Sequence, residues 1–249
     1  NKVVGYQNLD QLTKNIEPFS LRLEKKDCLD LPEKTFTPVY VELTAEQERV
    51  YQSIKNDSIA MLQGELVTTT MALTRIIKLH QILTGFVITD DDKTVNLRNN
   101  RIAILQQLAE TTTPLVVFCA YKHNVVQIKK ALEDYKVVSY TGDDSTTQKN
   151  DAVRAFQNGE ADIFVGTSAA AKGLTLTRAS TMVYYSNNYS LENRLQSQDR
   201  IHRIGQDNKC TYIDLVVPNS IDETILKRLE QKKELSNEVL DDLIDIIKQ

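Results

Sequence analysis

Arg200 and Arg203 stand three residues apart within Gln196-Ser197-Gln198-Asp199-Arg200-Ile201-His202-Arg203-Ile204-Gly205-Gln206. On a helix that spacing sets both guanidiniums on one face. Gln196, Arg200 and Arg203 follow the i, i+4, i+7 rhythm of a single stripe. Two planar, permanently charged forks displayed side by side suit a polyanion held elsewhere. Lysine would supply the charge without the fork. The same pattern also suits a solvated charged face, the common fate of arginines on helices. Leu191 and Leu195 fall on the opposite side and predict a helix anchored to a core through its leucines.

Other candidates sit in loops that follow apolar runs, and open α/β sheets deliver function at the carboxyl ends of their strands. Gly166-Thr167-Ser168-Ala169-Ala170-Ala171-Lys172-Gly173-Leu174-Thr175-Leu176 is one such loop. Small side chains let a backbone approach a ligand, and Gly173 permits dihedrals that other residues resist. A tight strand-to-helix turn needs the same small residues. Phe118-Cys119-Ala120-Tyr121-Lys122 is a second loop. Thr141 and Gly142 can offer backbone N–H groups to a phosphate, or form an ordinary turn. His202 projects near the leucine side of its helix and reads as a packed or hydrogen-bonded histidine rather than a proton-transfer group. Asp199 suits a local ion pair with a neighbouring cation.

The elements that must position these residues fall into three stretches. Residues 1–100 read as mostly helical and irregular, with a strand from alternation over Thr37–Leu43. Thr44-Ala45-Glu46-Gln47 has the form of a capping box opening a helix that carries Val50, Tyr51 and Ile54. A further helix is expected from about Met71 to Leu83, ended by Gly85. Residues 101–217 alternate strand and helix. Strands are expected at Leu115–Cys119, Val137–Tyr140, Asp162–Gly166, Thr181–Tyr185 and Thr211–Val217, with helices at Lys122–Tyr135 and after the capping box Ser145–Gln148. Repeated βα units imply a parallel sheet with helices on both faces. Residues 218–249 turn helical again, from a third capping box, Ser220–Glu223. They end in an amphipathic tail with Val239, Leu240, Leu243 and Ile247 expected to pack on the body.

Composition narrows the classes. The 249 residues suffice for one large or two small domains and carry a formal net charge of -4. That argues against a chain coated in basic surface, though a local patch and backbone amides can still hold phosphates. Cys28, Cys119 and Cys210 are scattered, as expected of reduced thiols in a cytosolic protein. His80, His123 and His202 do not cluster with cysteines or carboxylates, so no metal site is expected. There is no apolar run long enough to span a bilayer and no secretory signal.

The segment Gln196–Gln206 resembles motif VI of superfamily 2 helicases, Q-x-x-x-R-x-x-R-x-G-Q, in the D-R-x-H-R-I-G-Q form of Swi/Snf-type DNA translocases. The resemblance makes Arg200 and Arg203 arginine fingers that reach the γ-phosphate of ATP bound to a partner lobe. It also gives Gln196 and Gln206 a lesser role in placing the motif or touching nucleotide. Gly166–Leu176 resembles motif V, S-T-x-A-G-G-x-G-L-N-L, which assigns Thr167 and Ser168 to the DNA backbone and Gly173 to the nucleotide side. Here Ala170-Ala171 replaces the glycine pair and Thr175 the common asparagine. Phe118–Lys122 resembles motif IV, with Cys119 and Ala120 replacing serine and glutamine, which makes Tyr121 and Lys122 candidate contacts to nucleotide or DNA. Tyr140-Thr141-Gly142-Asp143 with Lys149, Val153 and Phe156 resembles a loosened family segment. Arg22, Lys25, Leu29, Leu31, Pro32 and Lys34, then Leu43, Thr44, Gln47 and Tyr51, resemble the approach to this lobe, and Leu79-His80-Gln81-Ile82 its L-R-Q-I helix.

No G-x-x-x-x-G-K-[ST] occurs in the chain, and Asp222-Glu223 falls in a helix cap, a poor Walker B candidate. The resemblance therefore implies a RecA-like second lobe (101–217), with the end of a first-lobe linker and a helical insertion before it (1–100) and brace helices after it (218–249). ATP with magnesium would be bound mainly by an N-terminal RecA-like lobe of the same protein. Double-stranded DNA is the expected track, with RNA as a further possibility, and no membrane is expected. Location is expected in the cytoplasm of a bacterial or phage-infected cell, or the nucleus of a eukaryote. The isolated piece is expected not to hydrolyse ATP. A non-catalytic nucleic-acid or protein-binding module on a degenerate lobe is the alternative.

Overall fold

The apolar runs pair as one sheet. The computed structural model describes residues 7–21, 28–63 and 69–231. Within them β1 (Lys34–Tyr40), β4 (Leu115–Phe118), β5 (Val137–Tyr140), β6 (Ile163–Gly166), β7 (Thr181–Tyr184) and β8 (Cys210–Val216) form a sheet in the order β1-β8-β7-β4-β6-β5. Every neighbouring pair is parallel. The fold is α/β, a RecA-like parallel sheet flanked by helices. A small antiparallel ribbon, β2 (Phe86–Ile88) with β3 (Thr94–Asn96), stands apart from it.

Strand side chains alternate between two faces, and each face has its own core. Leu115, Val117, Ile163, Val165, Val183 and Leu215 pack on one side with Ile76, Leu79, Ile82, Ile128 and Ile225. Those partners come from α3 (Thr69–Leu83), α5 (Lys122–Ala131) and α8 (Ile221–Glu230). Val116, Phe118, Phe164, Met182, Tyr184 and Tyr212 face the other way, against Phe156 of α6 (Thr146–Gln157) and Ile201 of α7 (Leu191–Ile201).

The strand expected at Thr37–Leu43 forms three residues earlier and lies at the sheet edge beside β8. Pro38 sits within it opposite Asp214. An edge strand tolerates a proline because one side needs no N–H. Two capping boxes form as expected. Gln47 N–H donates to Thr44 Oγ1 at 3.2 Å and Gln47 Oε1 accepts from Thr44 N–H at 3.2 Å, opening α2 (Ala45–Gln63). Ser145 and Gln148 make the same exchange at the start of α6. The third differs: Ser220 Oγ accepts from Asp222 N–H, but Glu223 accepts from Asn219 N–H instead of Ser220. The helix expected at Lys122–Tyr135 stops at Ala131.

Contacts divide the chain at Leu31/Pro32. The first unit holds α1 (Leu9–Ile16), on which Leu9, Leu12 and Ile16 share an exposed face. The second holds the sheet, together with α4 (Asn100–Thr111). Arg22, Lys25 and the amphipathic tail with Val239, Leu240, Leu243 and Ile247 lie outside the described residues. No described helix is long and apolar enough to cross a membrane.

Candidate functional site

α7 carries the first guanidinium, and it docks differently from the expectation. Leu195 is exposed and only Leu191 packs against the core. The buried face is Arg194, Ser197, Gln198 and Ile201. Arg194 reaches Asp214 of β8 through two parallel bonds, Nη1 to Oδ1 at 2.6 Å and Nη2 to Oδ2 at 2.7 Å. Asn187 bridges the same pair, and the guanidinium lies 3.5 Å from the Tyr184 ring centroid. A bidentate, stacked ion pair fixes the helix where leucines were expected to.

The helix ends at Ile201, so Arg203 occupies the following turn rather than the helical stripe. Both arginines nevertheless converge. Arg200 Nη1 donates to the Leu174 carbonyl at 3.0 Å, and Arg203 Nη1 donates to the same oxygen at 3.2 Å. Arg203 Nη1 also donates to Thr175 Oγ1 at 2.9 Å, while Arg200 Nε holds the Gln196 carbonyl at 2.9 Å. Both side chains are half-buried, and among the described residues neither forms an ion pair. Burial, and then the neighbouring Arg203 charge, lower the Arg200 pKa against an opposing pull from Asp199. Two cations crowd one neutral acceptor, an arrangement that favours an anion between them.

Gln206 fastens the same loop further on. Its buried Nε2 donates to the carbonyls of Thr177 and Ala179 and its Oε1 accepts from Asn208 N–H, so its amide is committed to structure. Leu176 N–H donates to the Arg200 carbonyl at 2.8 Å. Residues 174–179 are thus stapled to the Arg200–Gln206 stretch. They lead into the amino end of β7, so the arginines lie toward that side of the sheet. Gln196 Nε2 bonds Glu192, while its Oε1 is buried without a partner. Gly173, at φ 74, is exposed with open space around it. His202 is buried and bonds the Pro32 carbonyl at 2.8 Å, in keeping with a packed histidine. Asp199 lies 3.8 Å from Lys34.

The remaining candidates gather at the carboxyl ends of the strands. Ser168 is exposed and lines a crevice with Ser186, Asn187, Asn188 and Asn193. Thr167 is buried beside it. Ala170 and Ala171 are fully buried, and an added Cβ on Gly166 would stand 2.8 Å from that of Ala170. The alanine pair is therefore core packing, with Gly166 giving it room. Lys122 pairs with Asp143 beside Gly142. Thr141 N–H is already held by Asp144 at 2.6 Å.

Tyr121 turns the other way. Its hydroxyl bonds His80 Nδ1 at 2.8 Å, in a buried cluster that sequence reasoning missed. There Arg101 pairs with Asp222 and donates to the carbonyls of Leu83, Tyr185 and Leu215. His80 Nε2 stands 3.5 Å from Asp222, and burial lowers its pKa to about 4 against the pull of that carboxylate. The cluster joins α3, α4 and α8 to the ends of β7 and β8.

The helicase conserved C-terminal domain family matches residues 100–205. Nuclear protein STH1/NPS1 of Saccharomyces cerevisiae is 28% identical over 92% of this chain, which spans 19% of that protein. Over residues 100–205 the chain carries a helicase conserved C-terminal domain, and along most of its length it is similar to Swi/Snf-type proteins of superfamily 2. A Bacillus subtilis relative named "Putative ATP-dependent helicase/translocase YwqA" is 27% identical over 94% of the chain, which spans 27% of that protein. The Sulfolobus solfataricus SWI2/SNF2 ATPase core, solved in complex with dsDNA, shares its fold with a TM-score of 0.65 at 22% identity, over 94% of the lobe and 52% of that chain. The lobe thus spans roughly a fifth to a quarter of these curated relatives.

Proposed function

We propose that the lobe is the second half of an ATP-driven motor on double-stranded DNA. Arg200 and Arg203 complete an ATP pocket whose other wall is the N-terminal RecA-like lobe of the same protein, with magnesium held mainly by that lobe. One observation carries the reading: two guanidiniums share the Leu174 carbonyl, with no ion pair among the described residues. A triphosphate supplies the anionic oxygens that such a pair lacks. Positioned arginines stabilise the charge that develops as the γ-phosphoryl group transfers, and they act only when the lobes close.

Gly173 and Gln196 join the nucleotide side, and the orphaned Gln196 Oε1 has a partner to gain there. Gln206 acts by holding the loop. Ser168, Lys122 and Gly142 face DNA phosphates from the carboxyl ends of the strands, Thr167 backs Ser168 from its buried place beside it, and Thr141 and Tyr121 support them from their internal bonds. Nucleotide and DNA would then act on opposite ends of the 167–179 loop, so closure at one end is felt at the other. A eukaryotic nucleus or a bacterial cytoplasm suits such a motor.

The test uses full-length protein. Arg203→Lys lowers DNA-stimulated turnover about a thousandfold, the range reported for removing an arginine finger, while ATP still binds. The isolated chain turns over ATP negligibly. Turnover near the wild-type rate in the lysine variant would remove Arg203 from catalysis and favour a non-catalytic binding module.

A further inference from the structure

Arg203 spends Nη1 on two acceptors at once, the Leu174 carbonyl at 3.2 Å and the Thr175 hydroxyl at 2.9 Å. Thr175 stands where the Swi/Snf pattern commonly has asparagine, and its side chain is half-buried over the turn. We propose that Leu174 and Thr175 form a resting cradle for Arg203, and that Thr175 is a positioning residue setting how readily the guanidinium leaves for the nucleotide. The inference rests on reading Arg203 as a γ-phosphate ligand.

The chemistry is an exchange of acceptors. In the cradle Arg203 meets one carbonyl and one hydroxyl, both neutral. At a γ-phosphate it meets anionic oxygens, so both partners are charged and the paired bonds are shorter and stronger than those to neutral acceptors. The cradle therefore yields to a triphosphate and recaptures the side chain once the γ-phosphate is gone. ADP offers nothing at that position, so it does not compete. A ligand shifts such an equilibrium only by its differential affinity for the two states, and here the difference is the γ-phosphate alone.

Release also changes what holds the loop. With Arg203 in place, Leu174 is tied by two guanidiniums, Leu176 by the Arg200 carbonyl, and Thr177 and Ala179 by Gln206. Loss of the Arg203 bonds leaves the first residues after Gly173 with fewer ties. Gly173 is the left-handed residue (φ 74) between this stapled stretch and the turn Ser168–Ala171. The cradle thus lies on the route from the nucleotide side to Thr167 and Ser168.

The experiment measures equilibrium binding of a non-hydrolysable ATP analogue and of ADP to full-length protein. Thr175→Val keeps the shape and removes the acceptor, while Thr175→Ser restores it. A hydrogen bond with a charged donor contributes ~1.5 kcal/mol, so the valine variant binds the analogue about tenfold more tightly. ADP affinity stays within a factor of about two, and the serine variant keeps the wild-type ratio of analogue to ADP affinity. Unchanged analogue affinity, weaker analogue binding, or an equal shift for both nucleotides would each overturn the cradle. The parent reading fails separately: Arg203→Lys would then turn over ATP normally, whatever Thr175→Val does. Slow Arg203→Lys turnover beside a silent Thr175→Val removes the cradle alone.

Discussion

At the residue scale the lobe depends on charges that a sequence presents as surface. Arg194 and Asp214 lie 20 positions apart, and nothing local marks them as partners. Their spacing follows from β7 and β8 being neighbours, which only the folded sheet reveals. Leu195, by contrast, has the composition of an anchor and is exposed, because the helix is rotated to bring Arg194 inward. Removing one member of a buried pair leaves the other charged and unpaired, a cost of about 3–5 kcal/mol. Asp214→Ala should lower stability by about that amount in urea unfolding. Arg194→Met with Asp214→Leu together should recover most of it, since paired replacement by apolar groups is often close to neutral. A single variant as stable as wild type would show that the pair contributes little.

At the element scale the sequence was legible where structure is local. Apolar runs marked β4, β6 and β7 because strands buried on both faces need nothing else. Thr44–Gln47 and Ser145–Gln148 form their boxes because both partners lie within one turn. The Arg200–Gln206 stretch stands out as a candidate site from its motif. That its turn clamps residues 174–179 could not be read from it, since the clamp is built from carbonyls that any residue offers. The cluster joining α3, α4 and α8 was equally hidden: Arg101 and Asp222 are 121 residues apart.

That cluster makes a pH prediction. His80 is fully buried, with its pKa lowered to about 4 from an ordinary 6.5. The unfolded chain therefore binds a proton at pH values where the folded lobe does not. Stability is full above about pH 6.5, declines as pH falls toward about 4, and is not lost further below it through this group. Between pH 7 and pH 5 the loss from His80 amounts to about 2 kcal/mol. His80→Gln, which cannot titrate, should show a shallower decline than wild type over that interval in matched urea titrations. Parallel curves for the two proteins would show that His80 does not take up the proton on unfolding.

At the scale of the whole molecule the question is where the lobe begins. Alternating βα units suggest a start near residue 101, yet β1 supplies the sixth strand from well before it. β1 covers the edge of β8, pairing Lys34 with Cys210 through to Tyr40 with Val216. Its flanks add bonds that no later segment replaces: Cys210 N–H to Glu33, Val41 N–H to Val216, and His202 to Pro32. Phe36 stacks on Tyr212 with ring centroids 5.1 Å apart. A chain starting at residue 100 would leave β8 as an edge strand, paired with β7 on one side only, and a bare strand edge is a template for aggregation. It would also remove one tie of the turn that carries Arg203, the bond from His202 to the Pro32 carbonyl. We therefore expect a chain from Pro32 to Gln249 to match the full chain in light scattering, with a thermal midpoint within a few degrees of it. A chain from Asn100 should aggregate or melt far lower. Equal midpoints for the two truncations, both matching the full chain in light scattering, would mean that β1 merely decorates the lobe and that the 101–217 unit sustains its arginines unaided.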